Sequence, residues 1–136
     1  MTDPLRTLAA RANSSEMIPD RRWLIAPLLI ALGGCEPSGL PATPLFAGVE
    51  GHSYAEGSKL IQDRLSARFP PGSSVRELES YLEQQGLQTS STPTSGVALF
   101  KYSGTVCGSQ VRVSWEADAA GKVASIDASY SDIGCP

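Results

Sequence analysis

The chain is poor in the residues on which most enzyme chemistry depends. Histidine occurs once, at position 52, and cysteine three times, at 35, 107 and 135. A hydrolytic triad would have to draw on His52, Ser53 and one of Glu50 or Glu56, and adjacency in sequence does not bring a base against a nucleophile. His52 therefore reads as an exposed or locally capping residue. Two cysteines and one distant histidine match neither the ligand number nor the spacing of a zinc site. No glycine-rich phosphate loop is present either, since DAAGK (118–122) holds one glycine and reads as a hairpin turn. Glu77, Glu79 and Glu83 read as a solvated helix face, because paired catalytic carboxylates need a cleft that separates their proton affinities. Positive charge is sparse: 11 Lys and Arg against 14 Asp and Glu give a net charge of −3, which offers no basic surface to nucleic acid. The main apolar run, residues 23–32, is too short for a permanent membrane span. These absences predict a non-catalytic protein with no cofactor, no metal, no nucleic-acid partner and no small-molecule substrate.

What is present starts with LIALGGCEP at 29–37. Arg21 and Arg22 form a positive patch, residues 23–32 are apolar apart from Pro27, and small residues precede Cys35. That order of charge, apolar run and small residues is the order of an export signal. Leu32-Gly33-Gly34-Cys35 resembles the lipobox of bacterial lipoproteins. The resemblance implies cleavage before Cys35 and lipidation of that cysteine, with attachment made stable by several acyl chains at about 0.8 kcal/mol per buried methylene. Residues 1–34 are then an export signal, and its compact form from Met17 onward suggests that Met17 is the true start. Glu36 is not the aspartate associated with inner-membrane retention, which favours a lipid-anchored protein of the bacterial outer membrane facing the periplasm.

From Cys35 onward the chain carries 7 Lys and Arg and 11 Asp and Glu, a net charge of −4. Residues 35–51, rich in proline and glycine and without helical or strand period, read as the lipidated cysteine and a flexible linker. Leu45, Phe46 and Val49 complicate that reading, because they could dock on the domain or on a partner. Residues 52–136 suffice for one small domain whose core is marginal without a staple. Once Cys35 is lipidated, Cys107 and Cys135 are the cysteines left, and an oxidising compartment lets them pair. Such a bridge would contribute roughly 3 to 4 kcal/mol through chain entropy.

Within that domain, SYAEGSKLIQDRLSARF (53–69) predicts a helix with a Ser53/Glu56 capping box, weakened by Gly57, and an apolar stripe of Ile61, Leu65 and Phe69. Pro70 and Pro71 stop it. PGSSVRELESYLEQQGL (71–87) predicts a second helix with Ser74/Glu77 as the better capping box, Val75, Leu78 and Leu82 inward, and a Schellman ending at Gly86 and Leu87. The STPTSG stretch reads as a connection. VALFKYSG, QVRVSWEA and KVASIDASY then predict three antiparallel strands, with Val111, Val113, Trp115 and Ala117 on one face and Ala124, Ile126, Ala128 and Tyr130 opposite Ser125, Asp127 and Ser129. The expected fold is α+β: two short helices packed on a three-stranded antiparallel meander, in two layers.

A lipobox, a linker, two short helices and a meander together resemble the small lipoprotein subunit of the outer-membrane barrel-assembly machinery, the SmpA or BamE group. FPPGSSVRELESYL and VSWEADAAGKVASIDASY carry the likeness. It implies a non-catalytic, periplasm-facing adaptor that supports a larger envelope complex. A second class fits the same small scaffold, a periplasmic inhibitor or immunity lipoprotein that neutralises a lysozyme or a secreted toxic enzyme. For either, the candidate partner contacts are Phe46, Lys101, Tyr102, Arg112 and Asp127. Phe100 and Tyr102 have a plainer alternative as core residues opposite Lys101.

Overall fold

The computed structural model describes residues 39–104 and 107–134. The expected lipidation site, Cys35, and the export signal lie outside the described residues. A short 3-10 helix, Val49–Gly51, leads into α1 (Tyr54–Arg68) and α2 (Val75–Gln84), followed by β1 (Gln88–Ser91), β2 (Ser95–Ser103), β3 (Gly108–Ala117) and β4 (Val123–Ile133). The strands form one open antiparallel sheet in the order β1-β2-β3-β4. This corrects the expected three-stranded meander to four strands. The extra strand is QTSS, which has no apolar alternation to announce it. It is held by antiparallel pairing to β2, with Gln88 opposite Leu99 and Ser91 opposite Gly96, and Thr92 N donates to Ser95 O across the turn at 2.7 Å.

Residues 39–51 do not behave as a solvated tether. Leu45 and Val49 are fully buried and Phe46 nearly so, all within the same apolar cluster as Ile61, Leu65, Leu78, Leu82, Val111 and Val113. The backbone of this segment is satisfied by side chains of the helical layer. Arg64 donates Nη1 to Leu45 O and Nη2 to Ala47 O, both at 2.8 Å, and Leu45 N donates to the buried Gln85 Oε1 at 3.1 Å. The segment can be buried because its polar groups find these partners.

The two helix starts reverse their expected ranking. At α1 the capping box is complete: Ser53 Oγ accepts from Glu56 N, and Glu56 Oε2 accepts from Ser53 N at 3.1 Å. At α2 the Ser74 side chain makes no cap bond. Tertiary backbone contacts replace it, with Val75 N donating to Gly121 O at 3.1 Å and Ser74 bridged to Lys122 in the β3–β4 turn. The α2 end follows expectation, since Leu87 N donates to Leu82 O and Gly86 N to Glu83 O, the two bonds of a Schellman motif.

Helix α1 runs beside β4, and its side chains complete that strand. Tyr130 N donates to Ser58 Oγ at 2.8 Å, Ala128 N donates to Gln62 Oε1 at 2.7 Å, and Gln62 Nε2 donates to Ile126 O at 3.0 Å. Ser58 and Gln62 stand four residues apart and share one helix stripe. Gly57 permits this approach: a Cβ there would lie 2.8 Å from Tyr130 Cδ1 and 3.1 Å from Val49 Cγ1. The glycine that weakens the helix start is thus the price of packing against Tyr130.

The faces of β3 and β4 follow the alternation, with one correction. A register shift between Glu116 and Ala117 pairs Ala117 with Val123, so Val123 is buried and Ala124 is exposed. A bulge inserts one residue and moves the inward position by one.

Candidate binding surface

Register assigns each side chain to a face. Gly96, Ala98, Phe100 and Tyr102 of β2 share the helix-covered face with Trp115, Val113, Val111 and Ser109 of β3 and with Ile126, Ala128, Tyr130 and Asp132 of β4. The opposite face carries Val97, Leu99 and Lys101, then Gln110, Arg112, Ser114 and Glu116, then Ser125, Asp127, Ser129 and Ser131.

One part of this open face, with residues 90–92 of β1 and its turn, forms a shallow depression of about 540 Å³ lined chiefly by hydroxyls, Val97, Arg112, Glu116 and Asp127. Its charges are arranged in order. Lys101 and Arg112 are diagonal neighbours across β2 and β3, and Arg112 and Asp127 are diagonal across β3 and β4. Arg112 and Asp127 are exposed, as is Lys101. The ion pairs recorded among the described residues are His52–Glu56 and Lys59–Asp63, both on the α1 side. Lys101, Arg112 and Asp127 therefore stand outside any ion pair among the described residues.

Under this face lies a close contact. Gly96 sits directly opposite Trp115, and a Cβ on Gly96 would fall 2.1 Å from the indole Cζ2. The indole fills the space that a side chain would occupy, a cross-strand glycine–aromatic pairing. Trp115 is 3% exposed, and its Nε1 has no hydrogen-bond partner among the described residues.

The aromatic candidates fall on the other side of the sheet. Phe46 is buried and packs on Phe100 with ring centroids 6.2 Å apart, and Phe100 packs on Tyr102 at 6.1 Å. Tyr102 Oη lies 2.8 Å from Tyr130 Oη, and Tyr54 Oη 3.0 Å from Ser109 Oγ. Burial, followed by the hydrogen bond with Tyr102, pushes the Tyr130 phenol well above its usual range. Phe46 and Tyr102 are thus placed with the core and separated from Lys101, Arg112 and Asp127 by the thickness of the sheet. The plainer reading of Phe100 and Tyr102 fits their positions.

His52, Ser53 and Glu56 do come together, but with the carboxylate in the middle. Ser53 Oγ donates to Glu56 Oε2 at 2.8 Å, and His52 Nδ1 stands 3.9 Å from the same oxygen. A nucleophile–base pair needs the hydroxyl against the imidazole; this is a capping arrangement. Hydrogen bonds from Ser53, chiefly the side-chain one, lower the Glu56 pKa. Among the described residues no group of three His, Cys, Asp or Glu could hold a metal ion, and no helix is long and apolar enough to cross a membrane.

The disulfide expected between Cys107 and Cys135 is corrected: among the described residues no two cysteines stand at disulfide distance, Cys107 being the one cysteine described while Cys35 and Cys135 lie outside. What remains is that Cys107 is not a free thiol.

Sequence reasoning missed the residues at the two borders of the sheet: Ser58 and Gln62 along β4, and Thr89 and Ser91 on β1. Their backbone and amide roles leave no trace in hydrophobic pattern. In comparisons with known proteins, the chain matches no family model, no curated protein and no solved structure.

Proposed function

We propose that the chain is a lipid-anchored, non-catalytic protein-binding module of the bacterial envelope, an adaptor that uses the open face of its sheet. The observation that carries this reading is the row Lys101, Arg112 and Asp127, three exposed charges on one rigid sheet face with no ion-pair partner among the described residues. A surface built on strands holds such a row in fixed register, and fixed charge patterns select partners more than they add raw affinity. The lipobox-like sequence supplies the membrane connection, and the likeness to the barrel-assembly lipoproteins supplies the adaptor role.

The test is quantitative capture of partners from solubilised bacterial envelopes by the full-length chain and by its Arg112→Glu variant. Enrichment of barrel-assembly subunits by the parent and loss of that enrichment in Arg112→Glu, at unchanged melting temperature, is the expected result. Enrichment of a single hydrolase or toxin would replace the adaptor reading with the inhibitor or immunity one. Equal capture by both forms would remove the open face from the function. Unmodified Cys35 in the mature protein, measured by intact mass, would remove the anchor.

A further inference from the structure

The two borders of the sheet are treated differently. In an antiparallel ladder, residues alternate between those that bond the neighbouring strand and those whose N–H and C=O point away from it. Because Thr92 N bonds Ser95 O, Ser90 and Gln88 take the bonded positions toward β2, and the backbones of Thr89 and Ser91 point outward. The same parity carried through the register places Ile126, Ala128 and Tyr130 outward on β4, where Ser58 and Gln62 do engage them. Outside the strand ladder itself, no hydrogen bond to the N–H or C=O of Thr89 or Ser91 occurs among the described residues.

We infer that β1 is an acceptor edge for an extended strand of a partner protein, one that carries lysine or arginine at alternate positions. The four outward groups of Thr89 and Ser91 specify an extended backbone as the ligand, since that alone presents donors and acceptors at matching spacing. The charge comes from α2. Thr89 Oγ1 donates to Glu83, which fixes the Glu83 flank of the helix over β1, and Glu79, one turn earlier, lies on the same flank. Arg76 joins Arg68 and Tyr81 around a separate depression, and neither Glu79 nor Glu83 is in an ion pair among the described residues. Alternate side chains of an added strand would point to the helix-covered side of the sheet, beneath these two carboxylates. The inference rests on the protein-binding reading and names a second contact for it, at the β1 border of the depression that Arg112 also lines.

The probe is a synthetic octapeptide alternating lysine and threonine, titrated into the full-length chain in detergent while amide exchange is followed residue by residue. Thr89 and Ser91 amides should exchange fast in the free protein and be protected on titration, while Ala128 and Tyr130 amides stay protected throughout. Ser91→Pro removes one outward donor and should weaken peptide binding about tenfold, the factor carried by one backbone hydrogen bond. Glu79→Lys should weaken it while leaving the Thr89–Glu83 contact in place, and covers the case in which Ser91→Pro disturbs folding. Lys101→Glu, on the open face but outside the depression that Ser91 shares with Arg112, should leave it unchanged, so failure of this edge and failure of the open face are told apart. A glutamate–threonine octapeptide binding as tightly, or binding without protection of Thr89 and Ser91, would overturn the inference. So would concentration-dependent protection of these amides without peptide, which would mark a second copy of this chain as the occupant.

Discussion

Strands β1 and β4 are the two borders of one sheet, yet they differ in nearly every respect. β4 is eleven residues long, has an inward row of Val123, Ile126, Ala128 and Tyr130, and is closed by a helix that lends it a serine and a glutamine. β1 is four residues of QTSS with its outward groups open. Long unpaired edges template aggregation, and proteins blunt them by cover or by shortness. Here one molecule uses both devices: cover where the strand is long and apolar, shortness and polarity where it is not.

The contrast breaks most visibly if the cover is removed. Ser58→Ala combined with Gln62→Ala leaves the Tyr130 and Ala128 amides and the Ile126 carbonyl without their partners. A loss of about 2 to 4 kcal/mol is expected from these part-buried groups, read as a lower urea midpoint, and the variant should associate at high concentration. A midpoint unchanged from the parent would mean that water serves β4 as well as α1 does.

Proline sharpens the same comparison within β1. Ser90→Pro removes a ladder donor and should cost about 2 kcal/mol more than Ser91→Pro, whose N–H already points outward. Equal losses in chemical denaturation would invalidate the assignment of parity at this border. A smaller effect is expected at the α1–β4 contact. Gly57→Ala gains about 1 kcal/mol of helix propensity but overpacks Tyr130 at a cost of about 1 to 3 kcal/mol. The net should be a loss of about 1 kcal/mol in thermal melts, and a gain would show that the ring yields freely.

The smallest effect concerns pH. Glu56 has a lowered folded pKa, so its contribution is present above its ordinary value of 4.5 and disappears as pH falls through the lowered folded value. Ser53→Ala should flatten the acid limb of the stability profile in that window while leaving the neutral limb parallel to the parent's. An unchanged acid limb would separate the cap from the pH dependence.

These borders also mark where sequence reading succeeds and fails. The inward rows of β3 and β4 are visible because burial writes a period of two into the chain, as in Val111, Val113 and Trp115. α1 and the end of α2 are visible because caps and stop residues act locally. β1 is invisible because backbone pairing needs no particular side chain. Residues 39–51 read as linker by composition because Leu45, Phe46 and Val49 reach the core without any period, and only their apolar character pointed to docking. The Ser74 cap fails for the converse reason: a good local motif lost to tertiary bonds from Gly121. At the surface, Lys101, Arg112 and Asp127 were legible as outward residues once the alternation was read, whereas the acceptor edge was not.

The docking of residues 39–51 changes how far the domain can stray from a bilayer. A seventeen-residue solvated tether from 35 to 51 could extend to roughly 55 to 60 Å at about 3.3–3.6 Å per residue. Leu40, however, already packs against the core, and Leu45 is locked by Gln85 and Arg64. With the proposed lipid on Cys35, five peptide links separate the anchor from Leu40, at most about 18 Å of chain. The domain would then work within its own diameter of the membrane surface, and a partner would have to come to it.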